Sequence, residues 1–258
     1  MEIDRSWLSA ALQAREAHEP YPLAEPADLD EAYAMQAAYA TAVAARKGGV
    51  SGYKLAANSP RLLAHFGVSE PVWARIFRDE THLSGLKIPR AVFGDLFVEP
   101  ELAAILGPGV EGVSAPVDRD GALALIERFH GAFELVDANG AAMHSLALGQ
   151  AVTLNVFNAG IVLGEEGQSP ATLDLPTLAV TLRVDGAVVG EATGAAPQDP
   201  IEAVRFVVNQ VLAQGATLAP GMVVMCGTHL PMRRIAPGET EVAVDMSGLG
   251  RVSFTLTD

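Results

Sequence analysis

The rhythm of apolar and polar positions changes along the chain. The first fifty residues read as helical. The Ala-rich segment from Asp28 to Arg46 (DLDEAYAMQAAYATAVAAR) closes at Gly48-Gly49 and predicts a helix with a glycine stop. From Val50 the texture shifts. Val50 to Leu55 predicts a short strand, and Asn58-Ser59-Pro60 a turn that opens a helix. Residues 92–106 (VFGDLFVEPELAAIL) predict extended chain, which Pro100 demotes to an edge or irregular strand. Residues 119–131, apolar at Leu123, Leu125, Ile126 and Phe129, predict an amphipathic helix.

The remainder is strand-dominated. Ala151 to Leu163 predicts a strand ending at Gly164. Leu178 to Val184 and Ala187 to Val189, joined by Asp185-Gly186, predict a hairpin, because Asp-Gly supplies the positive φ of a tight turn. One helix interrupts: Ile201, Val204, Val208, Val211 and Leu212 share a face, opened by Asp199-Pro200 and closed by Gly215. Strands follow at Met222 to Cys226, Thr240 to Met246 and Arg251 to Thr257. These elements predict an α+β chain, with a helical N-terminal portion (1–50) leading into one strand-dominated unit (51–258).

Composition narrows the function classes. Half of the 258 residues are hydrophobic and 19% are charged, enough to build a packed core. The longest stretch without Asp, Glu, Lys or Arg, Ala138 to Gly164, contains Asn139, His144, Ser145, Gln150, Asn155 and Asn158 and is too polar for a bilayer span. The first twenty residues lack the basic-then-apolar layout of a secretory signal, and the single cysteine, Cys226, fits a reducing cytoplasm. A formal net charge of −14 opposes binding to nucleic acid or an anionic membrane. An anionic substrate would then need local positive charge, which a divalent cation can supply.

The sharpest local feature is Val98-Glu99-Pro100-Glu101-Leu102. On a strand, residues i and i+2 share a face, so Glu99 and Glu101 stand side by side among apolar neighbours. Such a pair needs a cation between its carboxylates, or water around them on an exposed edge strand; spacing alone leaves both readings open. Glu134 lies in a second apolar setting, His130-Gly131-Ala132-Phe133-Glu134-Leu135-Val136-Asp137. Three carboxylates with waters suit Mg²⁺ or Mn²⁺ and not zinc. Lys54, in Gly52-Tyr53-Lys54-Leu55-Ala56, must pair with an anion if its strand is buried, either a substrate carboxylate or one of these acids. Asp79 is a weaker candidate, since loop aspartates commonly only form turns. The six histidines show no metal-ligand spacing, no nucleophile elbow surrounds Ser59, Ser145 or Ser169, and Cys226 reads as an inert buried thiol. No glycine-rich phosphate loop is present.

Taken in order, several segments resemble the fumarylacetoacetate hydrolase superfamily, in particular its branch of 2-oxopent-4-enoate hydratases and 4-oxalocrotonate decarboxylases. They are Glu31-Ala32-Tyr33-Ala34-Met35-Gln36, Gly52 to Ser59, Phe77-Arg78-Asp79, Glu99-Pro100-Glu101-Leu102-Ala103, Phe133 to Asp137, Thr193-Gly194-Ala195-Ala196 with Asp199-Pro200, and Gly221 to Gly227. The resemblance implies a mixed β roll or sandwich with flanking helices, and a Mg²⁺ or Mn²⁺ ion held by Glu99, Glu101 and Glu134. It implies catalytic roles for Lys54 and Asp79, and substrate contacts from Ser59, Asn155, Thr228 and His229. The implied reaction is addition of water to a small anionic 2-oxo or 2-hydroxy dienoic acid; the implied assembly is a homo-oligomer. The chain departs from the branch where Gln150 and Leu154 stand in place of two aspartates and only Asn155 remains. A decarboxylase, another C–C lyase or hydrolase on the same scaffold, and a catalytically silent partner subunit are therefore the alternative expectations.

Overall fold

Short polar side chains begin the helices. In a computed structural model that describes residues 4–258, Asp4 caps α1 (Arg5–Ala17), and Asp28 accepts the Glu31 N–H to cap α2 (Leu29–Ala44). Ser59 caps α3 (Pro60–Phe66), Asp118 caps α4 (Arg119–Leu125), and Asp199 caps α6 (Pro200–Ala213), with Pro200 in its first turn. Between the last two lies α5 (Leu148–Thr153). Residues 1–3 of the expected helical N-terminal portion lie outside the described residues.

Thirteen strands among the described residues form two sheets. The first runs β2 (Val72–Phe77), β1 (Val50–Ala56), β10 (Val223–Thr228), β5 (Leu96–Leu106), β6 (Ile126–Asp137), β7 (Asn158–Gln168), β3 (Thr81–Leu83), with β11 (Arg233–Arg234) added to β5. The second runs β4 (Leu86–Pro89), β13 (Gly250–Thr257), β12 (Glu241–Met246), β8 (Ala179–Val184), β9 (Ala187–Thr193). The hairpin turn at Asp185-Gly186 is present, both residues at positive φ.

The first sheet curls until its ends approach. β2 packs against β7, and the hydroxyls of Ser51 and Thr81 share a 2.7 Å hydrogen bond. The outer face of the roll (Leu102, Phe133, Leu135) packs on α6 and on the second sheet, where Phe133 meets Phe254 edge to face at 5.6 Å. The inner face carries Ile76, Ala103, Ala132, Ile161, Val223 and Met225. Helices α1 and α2 cover one side through Trp7, Ala11, Tyr39 and Val43, packed on Phe77, Val136, Leu154 and Phe157. This mixed α+β roll with flanking helices is the expected fold class. Among the described residues no helix is long and apolar enough to cross a membrane.

Two local expectations fail for tertiary reasons, and of the edge or irregular strand expected at Pro100 the irregular form is found. Pro100 sits in a central strand: β5 lies between β10 and β6. The proline is tolerated because the β10 ladder is irregular beside it, stepping from Met225↔Ala103 to Thr228↔Glu101. The helix expected over 119–131 stops at Leu125, and Ile126 to His130 join β6, where pairing with β5 overrides the helical spacing. The strand expected from Ala151 begins only at Asn158. Residues 148–153 form α5, whose start is held by the Gln150 side chain accepting the Ala147 N–H, and Val152 packs on Ala32 of α2.

Candidate metal centre

Strand register assembles the acidic cluster. Glu99 and Glu134 are direct cross-strand partners of β5 and β6, and Glu101 lies two residues on, on the same inner face. One carboxylate oxygen from each lies within 4.8 Å of the others. Glu134 is fully buried, Glu101 nearly so, and Glu99 half-buried. The exposed-edge reading of this pair is therefore excluded.

Lys54 enters from β1, where its partners are Ala74 of β2 and Met225 of β10. Only 2% exposed, it pairs with Glu134 Oε1 at 2.6 Å and donates to the Val156 carbonyl at 3.1 Å. Asn158 Nδ2 donates to the same Glu134 oxygen at 3.4 Å, so both neighbours take Oε1, and Oε2 is buried without a partner. The Gly227 N–H donates to Glu101 Oε2 at 2.8 Å. A Cβ at Gly227 (φ +106°) would stand 2.4 Å from Asn58 Nδ2, so the close backbone approach to Glu101 requires glycine.

Three clustered carboxylates, two buried and one half-buried, against one ammonium leave an excess of negative charge. Burial and the neighbouring Glu134 charge push Glu99 up to about 7 against the pull of Lys54. Glu101 lies well above the usual carboxylate range, chiefly from burial and then from Glu134 and Glu99. Burial also raises Glu134, opposed by Lys54 and Asn158. Converging oxygens, the unsatisfied Oε2 and uncompensated charge fit a hard divalent cation ligated by oxygen.

Of the other expected site residues, Thr228 lies beside the cluster as the cross-strand partner of Glu101, and Asp79 lies apart from it. Asp79 is exposed on the turn Arg78–Glu80, its N–H donating to the Lys47 carbonyl. It lines a cavity of about 610 Å³ with Arg15, Lys47, Glu80 and His82, and neither Lys54 nor any of the three glutamates reaches that cavity. The buried acid of this turn is Glu80, paired with Arg15 at 2.7 Å and Lys47 at 3.1 Å. Asn155 does not present its amide to a ligand: its Oδ1 accepts the Arg75 N–H and its Nδ2 donates to the Arg75 carbonyl, both at 2.8 Å. Ser59 caps α3, and Thr228 donates to the Leu230 carbonyl at 2.6 Å. His229 is buried with Nδ1 unpartnered, and burial pushes it down to about 4, so it is neutral at pH 7. The Cys226 thiol is buried and pushed up by burial, as expected of an inert thiol.

Asn158, the Val156 carbonyl and the Gly227 N–H were not legible as site groups. Asn158 is one polar residue in an apolar string, and backbone donors and acceptors leave no mark in composition.

Residues 77–257 match the family model described as fumarylacetoacetate (FAA) hydrolase C-terminal. Over 207 residues the chain is 29% identical to a 4-oxalocrotonate decarboxylase of a Pseudomonas species, covering 80% of this chain and 78% of that protein. Over 222 residues it is 27% identical to a 2-keto-4-pentenoate hydratase of Burkholderia vietnamiensis, covering 81% and 79%. The fold superposes with a TM-score of 0.85 on 4-oxalocrotonate decarboxylase from Pseudomonas putida G7 complexed with magnesium and adipate, at 20% identity and 99% coverage of both chains.

Proposed function

From the premise that the chain belongs to the fumarylacetoacetate (FAA) hydrolase family, we propose that it is a divalent-metal-dependent lyase that adds water to a small 2-hydroxy dienoic acid. The observation that carries the proposal is the buried Glu99–Glu101–Glu134 cluster, with Glu134 Oε2 unpartnered and Lys54 beside it. The relatives named as hydratases support the reaction class. Mg²⁺ or Mn²⁺ is the finer assignment, resting on the all-oxygen donor set.

When bound, the cation would supply positive charge to offset the negative charge that develops on an anionic, oxygen-rich substrate. Glu99, Glu101 and Glu134 hold it, and the Gly227 N–H fixes the orientation of Glu101. Lys54 spends two of its three N–H donors on Glu134 and Val156 and offers the third to the substrate carboxylate. The apolar wall of Ile76, Ala103, Ala132 and Met225 excludes water from the non-reacting side. Asp79 and Asn155 make no substrate contact in this reading, because one is exposed on a separate cavity and the amide of the other is bonded to β2. The expected homo-oligomer rests on family resemblance and is read by light scattering.

A second reading, decarboxylation of a 4-oxalocrotonate-like diacid, is favoured by the decarboxylase relative named above. The test mixes chelator-treated protein with 2-hydroxypenta-2,4-dienoate and with 4-oxalocrotonate, with and without Mg²⁺ or Mn²⁺. Metal-dependent loss of dienoate absorbance with a product heavier by one water supports the hydratase, and carbon dioxide release from the diacid supports the decarboxylase. Metal binding with no turnover of either would leave the silent partner subunit.

A further inference from the structure

Between α5 and β7 the backbone does something unusual. Asn155, Val156 and Phe157 all adopt positive φ, at 54°, 49° and 55°. The left-handed region disfavours any residue with a Cβ, and a β-branched valine most of all, so three in succession persist only where the surroundings impose them. Asn155 supplies the restraint: fully buried, it uses its whole side-chain amide to grip both backbone groups of Arg75 on β2. A second grip follows at Asn158, whose carbonyl accepts Arg15 Nη1 of α1 at 3.1 Å.

What the turn delivers is the outer layer of the metal centre. Val156 presents its carbonyl to Lys54 Nζ at 3.1 Å, and Asn158, the next residue but one, presents its amide to Glu134 Oε1 at 3.4 Å. Lys54, held by the Val156 carbonyl, and Asn158 both bond Oε1 and leave Oε2 without a partner. A regular turn over 155–157 would aim both groups elsewhere. The geometry points to Asn155 as a positioning residue, whose clamp on β2 holds a strained left-handed turn and thereby orients Lys54 and Glu134 for the cation. The inference rests on the proposed metal centre but not on the identity of the substrate.

Rescue distinguishes positioning from a merely structural role. Glycine adopts the left-handed region without strain, so Val156→Gly lets the turn keep its shape with less restraint while retaining the carbonyl. Val156 is half-buried against Ala32, Val72 and Val152, so melting temperatures of all variants accompany the binding data. The readout is calorimetric titration of Mn²⁺ into chelator-treated protein, which needs no substrate. Loss of a residue that orients a ligand weakens metal binding by roughly tenfold or more. Asn155→Ala is expected to weaken Mn²⁺ binding about tenfold, and Asn155→Ala/Val156→Gly to recover most of that loss relative to Val156→Gly. Wild-type affinity in folded Asn155→Ala, or no recovery in a folded double variant, overturns the inference. No Mn²⁺ binding by the wild-type protein would instead overturn the metal centre itself.

Discussion

At the scale of single residues, the site is governed by charge packed into a small dry space. Among the described residues Lys54 is the one ammonium paired with the cluster, and Glu134, its partner, is wholly buried. Removing one partner of a buried pair strands the other charge and costs about 3–5 kcal/mol. Lys54→Met is therefore expected to lower the unfolding free energy of the metal-free protein by about 3 kcal/mol and to remove turnover, read by urea titration and assay. Unchanged stability would show that Glu134 does not depend on Lys54. His229 gives a pH-dependent counterpart. Its folded pKa of about 4 lies below the unfolded value of 6.5, so the unfolded chain binds more protons between the two. That contribution is complete above pH 6.5 and is lost as pH falls through 4, up to about 3 kcal/mol. Unfolding free energies of wild type and His229→Gln should diverge in this window, and parallel curves would refute the assignment. Glu99 and Glu101 were legible as a pair because i, i+2 spacing puts them on one face of any strand, whereas their meeting with Glu134 depends on the β5–β6 register. The motif names Asn155 without revealing that its amide bonds both backbone groups of Arg75.

At the scale of elements, local signals were sound where they were local. Asp28, Ser59 and Asp199 open helices as their side-chain chemistry requires, and Asp185-Gly186 turns the hairpin. Asp28→Ala should cost about 1 kcal/mol of stability through the loss of the α2 cap while leaving kcat unchanged. A fall in kcat at unchanged stability would tie this helix end to the chemistry. The failures at 126–131 and 151–157 share one cause: strand pairing or helix packing across long sequence separations decides them. The spacing of Leu123, Leu125, Ile126 and Phe129 suits a helix until β5 is available to pair with Ile126 onward.

At the scale of the whole molecule, the roll brings together residues from positions 54 to 227 that no sequence window contains. Hydrophobic pattern alone yielded an α+β chain; the curled sheet followed only from the order of motifs resembling a family, because curling depends on β2 meeting β7. Under the proposed function, a cation offsetting the three clustered carboxylates would give a chain of net charge −14 the local positive charge that an anionic substrate needs. The most direct test is calorimetric titration of Mn²⁺ into chelator-treated wild type and Glu101→Gln, both checked for folding by circular dichroism. The account predicts one saturable site per chain in the wild type and its loss in the variant, together with loss of metal-stimulated turnover. Equal binding by folded Glu101→Gln, or full activity of that variant with metal stripped, would contradict it.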